Sequence, residues 1–142
     1  MIAYKNYKYV VLLFGFIVSG LVAWQAQAQE VGKPAPDFEL PNLNQEGVKL
    51  SGYQGKVVYL DFWASWCAPC RETFPWMNQL REKYGKDGLE ILAVNIDTKR
   101  ADADKFLGQT PAGFTVLFDP KRGVAKTYAL KGMPTSFLID RS

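Results

Sequence analysis

Both cysteines of this 142-residue chain lie in one short stretch, Trp66-Cys67-Ala68-Pro69-Cys70. A thiol at the first turn of a helix faces backbone N–H groups without partners and the positive end of the helix dipole, which favours the thiolate. Cys67 is therefore the candidate nucleophile. Cys70, about one helical turn further on, would hold its sulfur beside that of Cys67, where it could attack a mixed disulfide and release a bound substrate. Pro69 suits a first helical turn, because its fixed φ is helical and its missing N–H would have had no partner there. Ala68 completes the motif. Two other readings of the pair are a purely structural disulfide and half of a zinc site. So short a loop removes little entropy from the unfolded chain, against about 3 kcal/mol for a 15-residue loop. Two cysteines and no histidine cannot complete a four-ligand zinc site within the chain, so no metal is expected. The absence of histidine also removes Ser–His and Cys–His nucleophile pairs.

The elements around the motif must position it. VVYLDFW, Val57 to Trp63, is too continuously apolar for a half-exposed strand and reads as a central strand covered on both faces. From Pro69 to about Tyr84, the residues Phe74, Met77, Leu80 and Tyr84 recur every three or four positions, which makes one apolar stripe of a helix. Pro75 lies inside it and is expected to kink it. Gly85 to Gly88 ends the helix, and Leu89 to Asp97 reads as a second buried strand parallel to the first. A short helix marked by Ala103, Phe106 and Leu107 follows, then a short strand from Thr115 to Phe118. Next come an amphipathic helix marked by Val124, Ala125, Tyr128 and Ala129 and a proline turn opening onto a third long strand, Gly132 to Asp140. Before all of these, Phe38 to Leu40 and Val48 to Leu50 flank a turn-rich segment and read as a hairpin or extension. The order is α/β, a layered sheet with helices on its faces.

Length and composition fit one domain, residues 29 to 142, behind a leader. The chain is 48% hydrophobic with net charge +3, and without Lys5 and Lys8 its charges nearly balance, so nucleic acid is not an expected partner. Met1 to Ala28 carries those two lysines, an apolar run from Tyr9 to Trp24, and Ala26-Gln27-Ala28 before Gln29. These are the parts of a secretory signal peptide, with a membrane anchor over residues 9 to 24 as the alternative. Either way the globular part is expected to be exported, to a periplasmic or other extracytoplasmic location.

DFWASWCAPC, Pro75 and GMPTSFLID together resemble the thioredoxin superfamily. VGKPAPDFEL, Val31 to Leu40, with the export signal and the extra helix and strand before Gly132, is similar more narrowly to the TlpA/ResA/CcmG group of extracytoplasmic thiol-disulfide oxidoreductases. The resemblance implies a thioredoxin-like fold, with a mixed central sheet flanked by helices, an N-terminal hairpin extension and an inserted helix and strand. It also implies a C-terminal strand and helix beyond the last strand, so the chain is expected to be C-terminally truncated. The implied activity reduces disulfides of exported proteins, apocytochrome c among the candidates. Electrons would come from a membrane thiol carrier, and no cofactor is needed beyond the redox-active Cys67–Cys70 disulfide.

The same resemblance makes Pro134 a cis-proline facing the cysteines, with Met133 before it, and puts Trp66 on the rim that meets substrate. Asp61 interrupts an apolar strand where thioredoxins carry a buried acid that handles the proton of the second cysteine, and desolvation would raise its pKa toward neutrality. Many of the exported group place a glutamate three residues after the second cysteine. Here that position is Thr73 and Glu72 comes one earlier, so Asp61 is expected to carry the proton chemistry alone. Two rival functions follow from the residues. A peroxiredoxin-like peroxidase, which the PAPDFEL opening also resembles, needs a Pro and a Thr or Ser ahead of its cysteine; ahead of Cys67 those positions hold Leu60 and Ala64. The other is a thioredoxin-fold binding or chaperone module whose disulfide does not cycle.

Overall fold

The computed structural model describes residues 31–142. The signal or anchor expected over residues 1–28 lies outside the described residues. Two short strands, β1 (Glu39–Pro41) and β2 (Gly47–Lys49), form an antiparallel hairpin in which Leu40 faces Val48. Asn42 closes its turn by accepting the N–H groups of Asn44 and Glu46 at 2.8 and 3.0 Å through Oδ1. Asp37 ties the segment down by accepting the Phe38 and Ser51 N–H groups through one oxygen.

The main sheet holds β3 (Val57–Trp63), β4 (Leu89–Asn95), β5 (Thr115–Phe118) and β6 (Thr135–Ile139) in the order β5-β4-β3-β6. The first three are parallel and β6 runs antiparallel to β3, so the sheet is mixed as expected. The continuous apolar runs of β3 and β4 occupy its middle because both faces there are covered. Helix α1 (Ala68–Tyr84) joins β3 to β4, α2 (Arg100–Gln109) joins β4 to β5, and α3 (Gly123–Thr127) precedes β6. Pro75 lies within α1. Gly88, at φ 92°, ends the turn after α1 in a left-handed conformation that favours glycine.

Alternation along β3 sends its side chains to two cores. Tyr59, Asp61 and Trp63 point toward α1 and α2: Trp76 packs on Tyr59 at 5.6 Å, and Phe74 and Phe106 on Trp63 at 4.9 and 4.8 Å between ring centroids. Fully burying such rings is worth roughly 2 to 3 kcal/mol each. On the other face Phe62 meets Tyr128 and Phe137, and Phe38 of the N-terminal segment packs on Tyr128. The Tyr128 hydroxyl donates to Pro36 O at 2.7 Å, and burial raises its pKa.

Two elements are shorter than their sequence patterns imply. β4 ends at Asn95 rather than Asp97, because the Asp97 N–H turns aside to Asn95 Oδ1. The helix over Val124 to Ala129 stops at Thr127. Ala129 sits at φ 49° with its N–H on Lys126 O, and the Leu130 N–H reaches Ala125 O, a closing pattern that ends a helix with one left-handed residue.

Candidate active site

Cys67 and Cys70 meet where β3 gives way to α1 and are joined in a disulfide, with Cα atoms 5.3 Å apart. Cys67 is the N-cap of α1: its φ of −85° and ψ of 98° are extended, while the Cys70 N–H points at both Cys67 O (3.1 Å) and Cys67 Sγ (3.3 Å). The sulfur of Cys67 thus takes the place that a serine or aspartate oxygen holds at other helix starts. A backbone N–H and the dipole of a 17-residue helix both favour negative charge there. Cys67 keeps 5% of its surface and Cys70 none, so an incoming sulfur can reach only the first. Pro69 occupies the first turn, and it and Ala68 face solvent.

The loop before Cys67 is held from the end of β4. Asp97 is buried, and its Oδ2 accepts the Ser65 N–H at 2.9 Å and the Asn95 side-chain amide at 2.8 Å. The Cys67 N–H donates to Ala64 O, closing the turn. Trp66 projects from this loop with 62% of its surface exposed. The Met133–Pro134 bond is cis, as the family resemblance implied, with Pro134 exposed and Met133 half-buried against the core. Register brings that turn to the cysteines' edge of the sheet: Thr135 pairs with Phe62, one residue before the end of β3.

Asp61 is 1% exposed. Its side chain lies on the face of β3 that α1 covers, the helix whose first turn buries Cys70. Oδ1 accepts the Ser136 hydroxyl at 2.7 Å, and Ser136 in turn accepts the Tyr59 hydroxyl at 2.9 Å. Oδ2 is buried without a hydrogen-bond partner. Burial pushes the carboxyl pKa up to about 6, with the Ser136 hydrogen bond pulling the other way. Tyr59 is raised as well, by its own burial first and by the Asp61 charge last. Thr73 spends its hydroxyl on Cys70 O, and Glu72 faces solvent.

Sequence reasoning missed Ser136, Tyr59 and Asp97. Tyr59 and Asp61 share a face by the period-2 rule, which was readable; Ser136 opposite Asp61 depends on a register between residues 75 positions apart. Asp97 could have been noticed as an acid ending an apolar strand. Among the described residues no group of three or more His, Cys, Asp or Glu side chains could hold a metal ion.

The family model for the AhpC/TSA family matches residues 31–142. The thiol-disulfide oxidoreductase ResA of Geobacillus thermodenitrificans is 37% identical over 128 residues, 90% of this chain and 74% of that protein. The ResA protein of Bacillus subtilis is 31% identical over 131 residues, 92% of this chain and 73% of its own. Among solved structures, a Chlorobium tepidum protein assigned as a thiol:disulfide interchange protein DsbE superposes with a TM-score of 0.77 at 58% identity, covering 81% of this chain and 80% of that one.

Proposed function

The chain belongs to the AhpC/TSA family and is a thiol-disulfide oxidoreductase, and from that premise we propose that it reduces disulfides of exported proteins with Cys67 as nucleophile and Cys70 as resolving cysteine. One observation carries this reading: the two sulfurs are joined at the N-terminus of α1, with Cys67 as the N-cap and the only one of the pair with exposed surface.

In the dithiol form, the Cys67 thiolate attacks one sulfur of a substrate disulfide. A Cys67–substrate S–S bond forms, the substrate's own S–S bond breaks, and the departing sulfur leaves as a thiolate that takes up a proton. Cys70 then gives up its proton, attacks Cys67 Sγ and expels the second substrate sulfur as a thiolate. Two electrons have passed to the substrate, and the Cys67–Cys70 disulfide remains. Asp61, poised near neutrality, is the group that accepts the Cys70 proton and later returns it. The exposed Trp66 ring and the Met133–Pro134 turn flank the place where a substrate strand would lie, while Ala68 and Pro69 shape the first turn without obstructing it.

The charged and apolar pattern of residues 1–28 supports export or anchoring of the domain outside the cytoplasm, with a membrane thiol carrier restoring the dithiol and apocytochrome c as one substrate. Insulin disulfide reduction with dithiothreitol is the test of the chemistry: the protein should accelerate it, and Cys67→Ser should return it to background. Equilibration with dithiothreitol buffers should give a potential of about −250 mV or lower. A value near −120 mV would reverse the direction, and inertness of the intact protein would sink the enzymatic reading altogether.

A further inference from the structure

The C-terminal ends of β3, β4 and β5 meet the start of β6 at one edge of the sheet, since Trp63 pairs with Asn95, Asn95 with Phe118, and Phe62 with Thr135. Beside the Met133–Pro134 turn at that edge runs a groove of about 690 Å³. Its floor is apolar: Ile96 and Ala125 are buried, Leu130 and Met133 half-buried. Its rim is cationic. Arg122, Lys126 and Lys131 line it, all three exposed, and no acidic residue does so among the described residues.

Two buried carboxylates lie near groove residues in the chain, Asp97 next to Ile96 and Asp119 three residues before Arg122, and both are spent on internal donors. Asp97 serves Ser65 and Asn95, and Asp119 accepts the Gly123 and Ala125 N–H groups at 2.8 and 2.9 Å, one on each oxygen. Among the described residues, none of the three cations is in an ion pair. Arg122 is steadied by its Nε–H on Ile96 O at 3.2 Å, which fixes the side chain over the groove while leaving the rest of the guanidinium uncommitted. Three cations gathered around an apolar floor repel one another unless a partner supplies the opposite charge.

We propose that this groove receives an acidic segment of the substrate protein: the stretch flanking the reactive cysteine, with Asp or Glu side chains meeting Arg122, Lys126 and Lys131 and an apolar side chain on the floor. The inference rests on the oxidoreductase reading above and adds a preference among substrates. Exposed charges of this kind act mainly on partner choice and on the rate of association, and salt screens them.

The test uses three peptides that carry one cysteine as a 2-pyridyl disulfide and differ only in having Glu, Gln or Lys at the flanking positions. Each rate with the dithiothreitol-reduced protein is normalised to the same peptide's rate with free mercaptoethanol. At low salt the Glu peptide should react about tenfold faster than the Lys peptide, and the ratio should fall toward one at about 0.5 M salt. In the Lys126→Glu/Lys131→Glu double variant the ratio should invert, a readout that partial unfolding cannot mimic because both peptides meet the same preparation. Equal normalised rates for the three peptides, with 2,2′-dipyridyl disulfide still reduced, would overturn the acidic-substrate assignment alone. Failure to reduce dipyridyl disulfide would overturn the oxidoreductase reading beneath it.

Discussion

Asp61 and Asp97 are both buried carboxylates, and their hydrogen bonds set them apart. Asp97 accepts two donors, a backbone N–H and an amide, both on Oδ2, and Asp119 accepts one N–H on each of its oxygens. These two acids hold loops, the one before Cys67 and the one that starts α3. Asp61 receives a single hydroxyl, leaves Oδ2 without a partner in the core, and has its pKa pushed up to about 6. A carboxylate kept short of donors weakens the fold when ionised, and gains in return the ability to take up a proton near neutral pH. Asp61 thus has one donor where Asp97 and Asp119 have two each.

The comparison can be broken in both directions. Asp97→Ala removes two charge-assisted hydrogen bonds and orphans the Ser65 N–H, so unfolding free energy should drop by about 3 kcal/mol. Urea titration checks this, and an unchanged midpoint would mean that the loop before Cys67 is held by something else.

Asp61→Asn should act the opposite way, and only above a certain pH. The unfolded carboxyl loses its proton near the ordinary 3.8 and the folded one near 6, so between those values the unfolded state binds fewer protons and stability falls as pH rises. The penalty is absent below about pH 4 and complete above about pH 6. Two units correspond to roughly 3 kcal/mol, and the amide leaves one atom without a partner just as the protonated acid does, so a gain of about 2 to 3 kcal/mol at pH 7 and none at pH 4 is expected. The same substitution should shift the pH dependence of Cys70 alkylation. Unchanged titrations of both cysteines would remove Asp61 from the proton step.

The smallest effect concerns the helix beside the cationic groove. Ala129 closes α3 at φ 49°, a conformation that costs a residue with a Cβ about 1 kcal/mol or more. Ala129→Gly should raise stability by up to about 1 kcal/mol in the same urea titration, with no pH dependence.

Much of this was legible in the sequence for physical reasons that also mark the limits. The run Val57 to Trp63 became β3 without a change of boundary because a strand apolar at all but one position has only one place to go, the middle of a sheet. α1 announced itself by its stripe, and Asp61 by breaking an apolar run. Long-range register was not legible: Ser136 serves Asp61, and Asp97 serves Ser65, through pairings that no local pattern encodes. The early end of α3 was missed because Tyr128 and Ala129 continue the helical spacing while the backbone has already turned left-handed.

The central claim is that Cys67 attacks and Cys70 resolves, and trapping the covalent intermediate tests it most directly. Each single variant would be incubated with a disulfide-bonded protein and analysed by mass spectrometry without reductant. Cys70→Ser should accumulate a mixed disulfide through Cys67, and Cys67→Ser should accumulate none, because the remaining sulfur of Cys70 is buried. Accumulation with Cys67→Ser and none with Cys70→Ser would contradict the account.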